Sequence, residues 1–425
     1  MKHLMIKFIL GVLVSFYLFP VEFTFLPSNI NTKMILAVIG AIFIGLNLLT
    51  TKRLLTPKDI FGASIISIIF SVICFLSANY NNTGDYSYAT YFVSFLTWMT
   101  GAYGIYNLLK LNHKKVSFKL LTLYLTGVCV AQCVSAMMID RIPVFKMAVD
   151  SVFNLGQDFM EDVGRLYGIG AALDPAGTRF SIVLLMISFV LFNDLQIQRK
   201  RSHVIILILS FFTIGVIGNM IARTTSVGFM GGLIYMVYSL PLFKMLIKVR
   251  ELKLWASLLF LTIFVIVVVA FLYNTDAQTY SLLRFAFEGF FNWVETGVWR
   301  TGSTDTLNNV MWIWPDDLKT WIIGSGWFGA FIFSTDIGYC RFILYCGIIG
   351  FSAFASLFVY GAYIFSKKFP VYRLFFLGLL ALSFIIWMKV STDLFLIHAL
   401  FYCIDSSSNT EEYELQNDVG LAAAS

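Results

Sequence analysis

The sequence predicts an all-α polytopic membrane protein of about 11–12 transmembrane helices in a single domain. Three observations predict it. The 425 residues are 59% hydrophobic and 13% charged, with a mean hydropathy of +0.81, whereas a soluble domain carries about 25% charged residues. Apolar runs of 16 residues or more recur along the whole chain, each near the ~20 residues that cross a ~30 Å hydrocarbon core as a helix. Basic residues crowd every second loop. These features exclude a soluble enzyme, a disordered chain and a basic nucleic-acid-binding domain. They also exclude barrel strands, which read as ~10-residue alternating segments.

The first run, 4–19, has a basic flank in Lys2 and Lys7 but no small-residue cleavage site, and Pro20 and Glu22 follow it. It is expected to be a retained anchor. Further spans are expected at 33–50, 59–78, 88–109, 118–139, 180–197, 203–221, 226–243, 254–273, 337–365 and 371–388, with a short twelfth at 394–404. Two long outer loops fall at 140–179 and 274–336. Loops of that length are usually functional, and their mixed aromatic and charged stretches predict short interfacial helices. The membrane domain is expected over 1–405. The polar tail 406–425 is expected to be disordered. The six cysteines sit within or beside apolar runs and are read as packed thiols.

One set of loops holds 19 Lys and Arg against three acids, and the opposite set holds 10 against 15. The positive-inside rule then places the N-terminus in the cytoplasm. The inner loops contain 14 Lys and 5 Arg, the outer loops 3 Lys and 7 Arg. The inner side needs only charge. The outer preference for guanidinium points to an anion, because the Arg fork matches phosphate oxygens in bidentate geometry and sheds water readily. Interfacial snorkelling and pairing with outer acids is the bland alternative.

Arg223 is the sharpest case, in a turn of a few residues within MIARTTSVGFMGG. Thr224, Thr225 and Ser226 are expected to cap the following helix, whose N-terminus would face the same anion. Gly228, Gly231 and Gly232 predict close approach of a neighbour. Arg341, five residues after Asp336, is expected about one turn inside a span, where a charge is by default functional. Arg179 is expected to begin a span after the Pro–Gly turn in ALDPAGT. Arg284 and Glu288 are spaced as an i,i+4 pair. Arg165 and Arg300 complete the anion-site candidates. Lys389 and Asp393 read as an i,i+4 pair, with a proton relay through His398 as the sharper alternative. No histidine constellation serves the outer face.

The outer motifs resemble the O-antigen and capsular polysaccharide polymerases, the Wzy-type integral-membrane glycosyltransferases. The resemblance rests on RLYGIGAALDPAGTRFS, IARTTSVGFMGG, LLRFAFEGFFNWVETGVWRTGS, WPDDLKTWIIGSGWFG and TDIGYCRFILYCGIIG, and is strongest from about 165 to 350. No outer Arg has the Gly eleven residues on that some members show. The resemblance implies a GT-C-like architecture in a bacterial inner membrane. It implies an active site facing the periplasm and a role in lipopolysaccharide or capsule biosynthesis. It further implies undecaprenyl-pyrophosphate-linked oligosaccharides as donor and acceptor, a chain-length regulator as partner, inversion at the anomeric carbon, and no cofactor or metal. On that reading Arg223 and Arg341 hold the pyrophosphate, with Arg179, Arg284, Arg300 and Arg165 supporting. Asp336 is the first candidate base, then Glu288 and Glu295. Trp293, Trp299, Trp312 and Trp327 are candidate sugar platforms. O-antigen ligases are the near alternative, disfavoured because no histidine occurs between 204 and 397. A lipid-linked glycan flippase is the other, disfavoured because charges crowd the outer mouths rather than mid-membrane.

Overall fold

The computed structural model describes residues 2–27, 30–51, 58–155, 165–239, 249–329 and 331–404. The chain is an all-α polytopic membrane protein. Among the described residues eight helices are long and apolar enough to cross a membrane. A helix stands at every expected run: α1 (Lys2–Leu18), α2 (Thr32–Thr51), α3 (Lys58–Tyr80), α4 (Tyr91–Asn112) and α5 (Phe118–Arg141). A short outer helix α6 (Pro143–Val152) precedes α7 (Leu173–Asn193), α8 (Arg201–Ile221), α9 (Thr225–Tyr238) and α10 (Val249–Thr275). The second long loop carries α11 (Ala277–Ala286) and α12 (Glu288–Thr296). The chain closes with α13 (Gly338–Lys368), α14 (Arg373–Trp387) and α15 (Phe395–Cys403). The end of the eighth expected span, 240–243, lies outside the described residues, as does the tail from 405.

Contacts between loops sort the helix ends onto two faces. On one, Lys119 pairs with Asp194 at 3.3 Å, and the Lys368 ammonium donates to the Tyr402 carbonyl at 3.2 Å. On the other, which we call the arginine rim, Arg141 ion-pairs with Asp276 and Lys389 with Asp174. A two-stranded antiparallel ribbon, β1 (Glu22–Phe23) with β2 (Phe153–Asn154), ties the first turn to the first long loop on that rim.

At the centre, α7 is buried without a break from Phe180 to Leu191, as a stretch surrounded by other helices must be. A Cβ on Gly228 of α9 would stand 2.1 Å from the Ser181 Cα, so glycine permits the close approach that packs helices where lipid is as apolar as the side chains. The same device joins α2 to α4, where a Cβ on Gly40 would meet the Thr100 carbonyl at 1.8 Å.

Two features depart from expectation. The sixth span starts at Leu173 rather than 180, so ALDPAGT forms its first turns. Pro175 is tolerated there because the missing N–H has no intrahelical partner in a first turn. Arg179 therefore lies in the second turn, packed on Phe19 with its guanidinium 5.6 Å from the ring centre. The second long loop is not wholly interfacial. α13 breaks at Gly347 (φ 67°, ψ −179°), and the freed carbonyls of Leu344 and Tyr345 accept from Ser325 N–H at 2.7 Å and Gly326 N–H at 3.0 Å. The Ser77 hydroxyl donates to the Tyr345 carbonyl at 2.8 Å. The segment around 324–329 thus re-enters the bundle. Irregular backbone at that depth needs such internal hydrogen bonds.

Candidate functional site

The α3–α4 turn anchors the re-entrant segment. The Thr83 hydroxyl donates to the Gly326 carbonyl at 2.7 Å, and the Asp85 carboxylate accepts from Phe328 N–H and Gly329 N–H, both at 2.6 Å. Burial works to raise the Asp85 carboxyl, but the Ser87 hydroxyl and those amides outweigh it and hold it below the ordinary carboxylate range. Arg341 rests on this segment. Its guanidinium lies 4.1 Å from the Phe328 ring centre and donates to the Phe328 carbonyl at 2.8 Å and the Ser391 hydroxyl at 3.2 Å. Asp336 is exposed and makes no ion pair with Arg341 among the described residues.

Arg223 projects from the α8–α9 turn. It pairs with Glu288 at 2.7 Å, donates to the Ser303 hydroxyl at 3.2 Å and lies 4.1 Å from the Phe285 ring centre. Arg165 stands 5.1 Å from the same ring centre. Burial pulls the Arg223 guanidinium below its ordinary range and Arg165 adds to that, against the pull of Glu288. The Arg223 Nε–H is buried without a partner among the described residues. Among the described residues neither Arg165 nor Arg179 has an acidic partner. Two guanidiniums at one ring, one with its Nε–H unpartnered and the other without an acidic partner among the described residues, form a site that an anion would relieve.

The expected capping of α9 is not found. Thr224 donates instead to the Asp174 carboxylate, Thr225 to the Gly218 carbonyl and Ser226 to the Arg223 carbonyl. The N–H groups of Thr225, Ser226 and Val227 go to carbonyls of the preceding turn, and Gly228 N–H to the Ser181 hydroxyl at 3.0 Å. The N–H groups from Thr225 to Gly228 are thus already taken, so the cationic side chains carry the site.

A short segment unites the two arginines. Lys389 donates to the Asp174 carboxylate at 3.0 Å and to the Thr224 hydroxyl at 3.2 Å, next to Arg223 in the chain. Two residues on, Ser391 accepts from Arg341. Two further, the Asp393 carboxylate accepts from the Tyr91 hydroxyl at 3.1 Å and feels the charge of Lys33. Lys389 and Asp393 do not pair with each other. The chain between α14 and α15 is not helical, so i,i+4 spacing does not bring them together. His398 is a core residue, 2% exposed and edge-on to Phe358 at 5.3 Å.

Other candidates lie apart. Arg284 and Glu288 are separated by a break at Phe287 (φ −118°, ψ 30°). Arg284 ion-pairs with Glu295, while Glu288 turns to Arg223 and accepts from Gly302 N–H at 3.0 Å. Arg300 ion-pairs with Asp305 and is exposed. Trp293, Trp299 and Trp312 are exposed, and Trp314 stacks on Trp321 at 5.5 Å. Lys33, Asp85 and Ser391 were not singled out by sequence. Lys33, 4.8 Å from the Trp98 ring centre, had a signal as one of three outer lysines. Among the described residues no group of three or more His, Cys, Asp or Glu side chains could hold a metal ion.

Burial pushes the Asp393 carboxyl up from its ordinary 3.8 to about 6, against Phe395 N–H, the Tyr91 hydroxyl and Lys33. The folded protein therefore binds more protons than the unfolded chain between those values. Stability from this group is complete below about pH 4 and is lost as pH rises through about 6. Asp393→Asn is expected to flatten the pH dependence of melting in detergent over that window and to raise the melting temperature at pH 7. An unchanged profile would show that the carboxyl ionises like an exposed one.

In comparison with known proteins, no family model, no curated protein and no solved structure matches the chain. Fold and site together define a multi-pass α-helical membrane protein with a cluster of cationic side chains at one face.

Proposed function

We propose that the protein is a glycan polymerase of the Wzy type, moving a growing glycan from undecaprenyl pyrophosphate to a hydroxyl of a second lipid-linked repeat. The lysine-rich face is cytoplasmic by the positive-inside rule. The arginine rim then faces the periplasm of a bacterial inner membrane, and eleven helices span, with α15 as a short final element. The observation that carries the reading is the pairing of Arg165 and Arg223 at Phe285, with the Arg223 Nε–H unpartnered among the described residues, linked through Asp174, Lys389 and Ser391 to Arg341. The resemblance of the outer motifs supports it.

The acceptor oxygen forms a bond to the anomeric carbon as the bond to the pyrophosphate oxygen breaks, and configuration inverts. Charge gathers on the leaving diphosphate, and cations fixed in advance at that point are usually the largest catalytic contribution. Arg223, Arg165 and Arg341 fill that role, with Arg179 deeper on α7. The acceptor proton goes to a carboxylate within reach. Glu288 and Glu295 are engaged by arginines, which leaves Asp336 the first candidate.

Purified protein in detergent with lipid-linked repeats tests the reading. Linked repeats should form with no membrane to cross and persist with a chelator present. Their absence in an otherwise competent preparation would leave transport as the function. Arg284→Gln and Arg300→Gln should each change the rate less than about threefold, because both guanidiniums are already spent on surface acids. A hundredfold loss at either would move the site outward.

A further inference from the structure

A recess of about 670 Å³ opens between α1 and α5. That volume is within the 300–1,000 Å³ usual for ligand sites. Its walls are almost entirely apolar. From Leu120 to Ser135 it follows α5 for about 22 Å of rise, most of the ~30 Å hydrocarbon thickness.

Small residues make the recess, and two of them are informative. A helical glycine costs about 0.5–1 kcal/mol relative to alanine. In membranes that cost is normally offset by close helix approach, as at Gly40 and Gly228 above. At Gly11 of α1 and Gly127 of α5, both lining the recess, nothing lies within 4 Å of where a Cβ would stand. These glycines press against no neighbour. They keep space open.

The charge is confined to one end. Lys7 and His113 line the mouth on the lysine-rich face, and Lys7 acts electrostatically on His113. Lys7 is exposed there. Phe153 and Ile169 line the opposite end, where no cation lines the recess among the described residues. An elongated apolar slot with a basic group at a single mouth complements a lipid with one anionic head and a long chain, entering from the lysine-rich face.

We propose that this recess binds an anionic glycerophospholipid, its phosphate at Lys7 and one acyl chain laid over Gly11 and Gly127. A polyprenyl phosphate anchored at the arginine rim would need its cation at the other end.

Native mass spectrometry of the full-length purified protein, stripped of lipid, tests this with phosphatidylglycerol, phosphatidylcholine and polyprenyl phosphate as probes. Phosphatidylglycerol should be retained at least tenfold better than phosphatidylcholine. Gly127→Leu and Gly11→Leu should each lower that retention tenfold or more without lowering the melting temperature, since the new side chains enter free space. Lys7→Gln should bring the two phospholipids to near equality. Gly45→Leu, also open but on α2 and outside the recess, should bind as wild type. Equal retention of the two phospholipids by the wild type, filled variants that bind normally, or displacement by polyprenyl phosphate would each overturn the proposal. None of these outcomes bears on transferase activity.

Discussion

Arg223→Lys is expected to lower polymer formation about 100-fold in the reconstituted reaction, with the melting temperature close to wild type. The magnitude is that of removing one preorganised donor from a developing oxyanion, about 10²–10³-fold, or about 2.7 kcal/mol at 1.36 kcal/mol per decade. Lysine keeps the charge. What it loses is geometry. The guanidinium meets Glu288 and Ser303 and lies against Phe285 at once, while its Nε–H is buried with no acceptor among the described residues. An ammonium is a single point of charge and cannot hold the salt bridge while presenting a planar edge to a diphosphate. Stability should change little, because lysine keeps a positive charge beside Glu288 in a pair that is only partly buried, at 19% and 30% exposed. Chain-length ladders that remain intact in the Arg223→Lys, Arg341→Lys double variant would place the anion elsewhere.

The helices were legible in the sequence because their signal is local. Length and apolarity within one run decide whether a segment spans, and every expected run carries a helix. The position of Arg223 was legible for a related reason: a charge in a turn of a few residues between two spans has nowhere else to go. Partners were not legible. Spacing suggested Arg284 with Glu288 and Lys389 with Asp393, yet both pairs straddle backbone that is not helical, and each residue found a partner from another element. Helical spacing predicts a contact only where the helix continues. The hydroxyls of Thr224, Thr225 and Ser226 donate to Asp174, Gly218 and Arg223 and cap nothing, because the N–H groups from Thr225 to Gly228 are already taken by carbonyls of the preceding turn and by the Ser181 hydroxyl. The re-entrant segment was hidden for a deeper reason. Its signal is a pair of glycines 23 residues apart in the sequence, Gly324 and Gly347, and neither is unusual alone.

Those two glycines carry the second large expectation. Gly347→Ala should destabilise the protein by on the order of 3 kcal/mol or more, seen as a large drop in melting temperature or a loss of folded yield. Gly347 (φ 67°, ψ −179°) and Gly324 (φ 82°, ψ 177°) both occupy a backbone region that is essentially closed to other residues. They also face each other's chain. A Cβ on Gly347 would stand 2.1 Å from the Ile322 carbonyl oxygen, and one on Gly324 would stand 2.1 Å from that of Tyr345. Neither obstacle is a side chain that could swing aside. Relief requires the re-entrant segment to back out, which breaks its bonds to Leu344 and Tyr345 and strands those carbonyls in an apolar interior. Gly378→Ala is the control. Its Cβ would meet nothing within 4 Å inside a helix, and alanine there should be neutral or stabilising by up to about 1 kcal/mol. The consequence for the site follows from Arg341, whose guanidinium lies on Phe328 and bonds its carbonyl. Any Gly347→Ala protein that folds should lose activity along with the seat of that arginine. If it melts with the wild type and polymerises normally, the break in α13 and the re-entrant segment it receives are wrong.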